Sequence, residues 1–171
     1  MYVGGLLYRL ILDNAFSYLE SGLDTLGWFD ANRSHAPVKM YPEPVENDET
    51  VEPNAICFSF EDIFEDDVEM GSNLSEHSLQ LFIDIYGENR AVGLHLAGDV
   101  KDLLQGRFAS VGFDKTHFPV HDLTDSNSPI LFYCEIDNLQ FNRSRFSTKP
   151  FEKYWWEISC DLVYTYGNDQ D

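Results

Sequence analysis

Positive charge is what this sequence has least of. Eleven Lys and Arg stand against 30 Asp and Glu, a formal net charge of −19 at pH 7. Nucleic-acid phosphates and anionic membranes are both bound through clustered bases, so the composition argues against either as a direct partner. It leaves open a surface that DNA slides past, which should be acidic so that DNA does not stick. Cysteine is scarce as well. Cys57, Cys134 and Cys160 are odd in number, show no CxxC spacing and lie in apolar, strand-like stretches. They read as buried free thiols in a reducing cytoplasm rather than a disulfide framework or a metal site. Long apolar runs are missing too. The stretch Leu6 to Leu12 is broken by Arg9, meets Asp13 at once and has no basic segment before it. It is too short for a membrane span of roughly 20 residues and lacks the layout of a secretory signal. A Gly-rich phosphate loop, GxSxG and HExxH are all absent.

The chain does have abundant core material. Hydrophobic residues are 43% and aromatics 15% of its 171 residues, enough for one packed domain over residues 1–171. Residues 5–26 carry Leu12, Ala15, Phe16, Leu19, Leu23 and Leu26 at helical spacing, with Gly27 placed to end the helix. Residues 31–54 hold four prolines and five acids and read as an extended loop or arm, with a short edge strand near Val38 to Tyr41. Residues 55–60 and 78–86 alternate as strands that pair around an acidic 61–77 connection. Asn89 caps a second helix over 89–105, with Val92, Leu96, Val100, Leu103 and Leu104 inward and His95, Asp99 and Asp102 on the wet face. Residues 107–129 read as irregular, Ile130 to Ile136 as a third strand, 138–153 as a polar connecting arm, and Tyr154 to Tyr166 as a fourth strand. The expected class is α+β: two main helices on a mostly antiparallel, mixed sheet of about four to five strands.

Candidate chemistry is thin. His117 and His121 are four apart, but Pro119 between them points to a surface loop and not to a helical metal pair. His95 and Asp99 have the spacing of a helical ion pair. His35 reads as a loop-packing residue. Adjacent acids such as Asp48-Glu49, Glu61-Asp62 and Asp66-Asp67 read as solvated surface. More telling is the distribution: between Met40 and Asn89 there is no Lys or Arg, against fourteen Asp and Glu. Such a surface either repels DNA or meets a basic partner. Several aromatics near loops, Trp28-Phe29 among them, add the possibility of a protein–protein surface.

Three stretches carry a resemblance: LGWFDANRSHAPV (Leu26 to Val38), EMGSNLSEHSLQLFIDIYGE (Glu69 to Glu88) and HLAGDVKDLLQGR (His95 to Arg107). FPVHDL, ILFYCEID and FEKYWWEISCDLVYTY follow in the same order. Together these resemble the tail terminator family of long-tailed bacteriophages, over nearly the whole chain. The resemblance implies an α+β protein without enzymatic activity, cofactor or metal. It would assemble as a homo-oligomeric ring, typically a hexamer, on the head-proximal end of the tail tube. Its partners would be the tail tube protein and the head-side connector protein, with DNA passing through unbound and no membrane involved. It would reside in the neck of the virion and, during assembly, in the host cytoplasm. The subunit or tube contacts it suggests are the loop residues Trp28, Phe29, Asp30, Arg33 and His35, the connector residues Met70, Gly71, Ser72, Asn73 and Leu74, and the basic arm Arg143, Arg145, Lys149 and Lys153. An acidic lumen would be lined by Glu61, Asp62, Glu65, Asp66, Asp67 and Glu69. Other neck components, such as head-completion or connector-joining proteins, fit the same description. Two further classes are an acidic DNA mimic that inhibits a DNA-binding enzyme, and a small hydrolase whose paired acids are catalytic.

Overall fold

The computed structural model describes residues 4–31, 34–43, 52–67, 74–143 and 154–167. Among these residues, two helices lie on one face of a six-stranded mixed sheet, an α+β arrangement. Helix α1 (Gly4–Thr25) buries Leu7, Leu10, Ile11, Ala15, Leu19 and Leu23, while Leu12, Phe16 and Leu26 are half-buried beside them. The inward stripe is therefore rotated slightly from the expected one. The helix ends as anticipated at Gly27, whose φ of 77° is left-handed. Gly27 N donates to Asp24 O at 2.8 Å and Trp28 N to Leu23 O at 2.9 Å, the paired bonds of a Schellman cap. Val38 N then donates to Trp28 O, returning the chain to the sheet at β1 (Val38–Tyr41).

β1 runs parallel to β2 (Asn54–Asp67), and every other pairing is antiparallel. The acidic stretch from Glu61 to Asp67, expected as a connector, is strand. β2 continues through it and pairs with β3 (Leu74–Tyr86), so the connection shrinks to 68–73. The cause is a bulge between Glu61 and Ile63. One extra residue breaks the period of two in the sequence while the ladder resumes with Ile63 opposite Leu79.

Asn89 caps helix α2 (Arg90–Leu104), its side chain accepting from the Ala91 and Val92 amides. Leu96, Val100, Leu103 and Leu104 are buried as expected, joined by Gly93 and Ala97, whereas Val92 is only half-buried. A Cβ on Gly93 would collide with the Trp156 ring, so glycine here sets how closely α2 approaches the sheet. Residues 107–129 are less irregular than expected. They contain a short 3-10 turn (Ala109–Val111) and strand β4 (His117–His121), so His117 and His121 stand on a strand and not in a surface loop. Pro119 masks the strand in the sequence, yet β4 is the outermost strand, where a missing N–H is tolerated.

β5 (Ile130–Arg143) runs past the expected end at Ile136, through a register shift at Asp137–Gln140 that places Asn138 at φ 48°. Residues 138–143 are thus strand, not connecting arm. β6 (Trp155–Gly167) closes the order β1-β2-β3-β6-β5-β4, which makes six strands rather than four to five. Trp156, Ile158, Cys160, Leu162 and Tyr164 all point into the core, as their alternation predicted. No helix among the described residues is long and apolar enough to cross a membrane.

Candidate functional site

The loop after α1 joins the helix to the sheet through internal contacts. Trp28 is 1% exposed and donates from Nε1 to Asp99 Oδ2 at 2.8 Å. Its ring stacks on His35 at 4.4 Å and meets the edge of His95 at 5.2 Å. Asp99, expected on the wet face of α2, is instead half-buried and also lies 3.5 Å from His95 Nε2. Ala36 is held at both polar atoms. Its N donates to Glu88 Oε2 (3.1 Å) and its O accepts from Asn54 Nδ2 (2.7 Å). Asn54 is fully buried, and its Oδ1 takes the Glu88 amide at 2.8 Å. Among the loop residues expected to make contacts, Trp28 is therefore internal. Phe29 is half-buried against a depression of about 450 Å³ with Ser17, Glu20, Ser21 and Asp24. Asp30 is exposed.

Asn14 does a related task at the far edge of the sheet. It is buried, donates to Leu10 O (2.8 Å) and His121 O (3.1 Å), and accepts from His121 N at 3.0 Å. One amide side chain thus satisfies both backbone groups of a β4 residue, as a further strand would.

Both helices pack on the sheet face that holds Ile83, Ile85 and Trp156. Among the described residues, the opposite face carries no helix. There the register sets Asp84 directly across from Glu157 on β6 and from Cys57 on β2. Asp84 is half-buried and accepts from Trp155 Nε1 at 2.8 Å. Burial pushes its carboxyl up to about 6, the Trp155 bond opposes this, and the neighbouring Glu157 adds to it. The Trp155 ring stacks on Tyr86 at 6.1 Å and 16°. Glu76, Glu135, Asp137 and Asp161 share this face by register, together with Phe82, Tyr133 and Val163.

The two sheet edges present different apolar surfaces. Beside β4, Leu123, Ile130, Leu131 and Tyr133 are exposed, the last at 53%. Beside β1, a groove of about 360 Å³ is lined by Tyr8, Leu12, Pro42, Glu43 and a 48% exposed Phe60, with the Arg9–Asp13 pair at its rim.

The sequence-derived lumen acids Glu61, Asp62, Glu65, Asp66 and Asp67 belong to the β2 ladder, with Glu65 opposite His77 and Asp66 opposite Glu76. Leu74 opens β3, and Arg143 ends β5 opposite Trp156. Arg33, Glu69, Met70, Gly71, Ser72, Asn73, Arg145, Lys149 and Lys153 lie outside the described residues. Among the described residues no three His, Cys, Asp or Glu side chains gather to hold a metal. Cys57, Cys134 and Cys160 are all buried thiols, and burial pushes Cys160 up to about 12 and Cys134 well above the ordinary thiol range. Asn14, Asn54 and Asp84 were not singled out from the sequence. The available signal was a short polar side chain inside an otherwise apolar helix or strand. No protein-family model matches this chain, and a search of curated proteins finds no significant match.

Proposed function

We propose that this chain is a tail terminator: a structural protein, not an enzyme, that forms a ring on the head-proximal end of a phage tail tube, stops its growth and offers a docking surface to the head connector. The observation that carries the reading is the run of six resembling segments in one order from Leu26 to Tyr166. The α+β architecture agrees with what that resemblance implies.

Two features of the surface support a ring. A head-to-tail ring needs two different, complementary patches on each subunit. The exposed apolar set beside β4 and the groove beside β1 sit at opposite edges of one sheet, as such a contact requires. The charge also needs local relief, because each added copy brings −19. The basic residues Arg143, Arg145, Lys149 and Lys153 are four of the eleven bases, within eleven positions of sequence. In this reading they meet the acidic 61–69 stretch of the neighbouring subunit, and DNA passes an acid-lined lumen without binding.

The test is native mass spectrometry of the wild type and of R143E/R145E. Six copies of 19.7 kDa give a ring of about 120 kDa. Charge reversal should abolish it. Rings that persist unchanged in the variant would sink the pairing. A wild-type monomer that binds a basic DNA-handling enzyme would favour the DNA-mimic class instead.

A further inference from the structure

The sheet face that carries no helix among the described residues has a charge problem that these residues do not solve. Asp84 and Glu157 stand directly opposite each other on neighbouring strands, an arrangement that repels. Glu76, Glu135, Asp137 and Asp161 extend the acidity over the same face. Among the described strand residues, the one Lys or Arg that register places there is Lys39, on the edge strand β1 and over the Tyr41 ring at 5.1 Å, while His117 stands opposite Glu135 on β4, far from Asp84. The side chain that supports Asp84 is Trp155, a neutral donor. Among the described residues the two carboxylates therefore lack a cation, and burial makes that lack costlier than on an open surface.

The surroundings specify what kind of cation fits. Trp155 and Tyr86 form a stacked, half-exposed aromatic wall beside the two carboxylates. A flat ring next to a carboxylate pair suits a guanidinium, which stacks on the ring and donates to both acids at its edge. Phe82 and Val163 give the rest of the face an apolar ground between the acids. Aromatic and aliphatic area with isolated charges is the composition of a protein interface core.

We infer that this face docks a basic partner protein, one of whose arginine side chains seats against Trp155 and Tyr86 and bridges Asp84 and Glu157. Charge selects the partner. A second copy of this chain carries −19 of its own. In the proposed ring the four clustered bases of a second copy meet the 61–69 stretch, and the rest of that copy would set acids against acids here, so the occupant is a different protein with exposed arginines. The Asp84–Glu157 pair stands on the two central strands, β3 and β6, away from the sheet edges where the ring contacts were placed.

The experiment uses the full chain and a hexa-arginine peptide as the probe, read by tryptophan emission. Trp28 and Trp156 are buried, so Trp155 is the tryptophan that a surface ligand reaches. The peptide should shift the wild-type emission, and W155F should lose that shift. D84N/E157Q should weaken peptide binding at least about tenfold, the loss expected when charged hydrogen-bond partners are removed. The side-chain amide introduced by D84N can still accept from Trp155, so the variant should fold, which circular dichroism checks. E20Q/D24N removes the same charge from the far side of α1 and should change affinity less than about twofold. Equal losses in both double variants would show general charge attraction and overturn the site. Self-association of the wild type that D84N/E157Q abolishes would overturn the choice of partner in favour of a second copy.

Discussion

Asp84 allows the electrostatics of the open sheet face to be tested by its effect on stability. Its folded-state pKa is about 6 against an ordinary 3.8, with burial the largest cause. An acid whose pKa is raised by folding binds its proton more tightly in the native state. Its effect on stability is therefore most favourable below the unfolded pKa and is lost as pH rises from there through about 6. Two units at about 1.4 kcal/mol each set an upper limit of about 3 kcal/mol. The carboxylate is only half-buried, and screening reduces this to about 1.5 kcal/mol. Asp84→Asn removes the titration and keeps an acceptor for Trp155 Nε1. Urea unfolding of both proteins across this range should show matching stabilities near pH 4. By pH 7 the variant should be more stable by about 1.5 kcal/mol. Groups that do not interact with Asp84 titrate alike in both proteins and cancel in the difference, and the repulsion from Glu157 is part of the effect measured. Parallel curves, or a variant less stable at pH 7, would refute the argument.

Three further outcomes follow from the packing. Gly93→Ala drives a methyl into the Trp156 ring and should cost about 2 kcal/mol in urea unfolding, despite alanine's better helix propensity. Asn14→Ala strips the His121 backbone N–H and C=O of the one side chain that bonds both. It should cost about 2 kcal/mol and speed exchange of the His121 amide more than that of the Ile83 amide in the sheet centre, which hydrogen-exchange mass spectrometry or NMR resolves. The three thiols are buried and at least two are held protonated. A thiol reagent should leave the native protein unmodified near neutral pH and label all three cysteines in denaturant.

Much of the fold was legible, and the misses share physical causes. Helix α1 announced itself through spacing and the Gly27 stop, and α2 through Asn89 and its stripe. β6 showed an unbroken alternation from Trp156 to Tyr164. Where the alternation slipped, the reading stopped early. The bulge at Glu61–Ile63 hid the second half of β2, and the shift at Asp137–Gln140 hid the end of β5. Charge compounded the first error, since acids on a paired strand look like a solvated connector. Pro119 hid β4 because its tolerance at an edge depends on a neighbour that local sequence does not reveal. Surface candidates were the least legible. Trp28 looked like a loop aromatic open to partners, but the returning chain and Asp99 enclose it. The open face was visible as the polar side of two strands. That Asp84 and Glu157 stand opposite each other depends on register, which two separate segments do not reveal alone.

The terminator reading is tested most directly by negative-stain imaging of the purified chain mixed with tail tubes assembled from the tube protein of the same phage. The account predicts a ring-shaped cap at one end of the tubes, and tubes that no longer lengthen when more tube protein is added. Bare tube ends that continue to grow, beside a chain that stays monomeric, would contradict it.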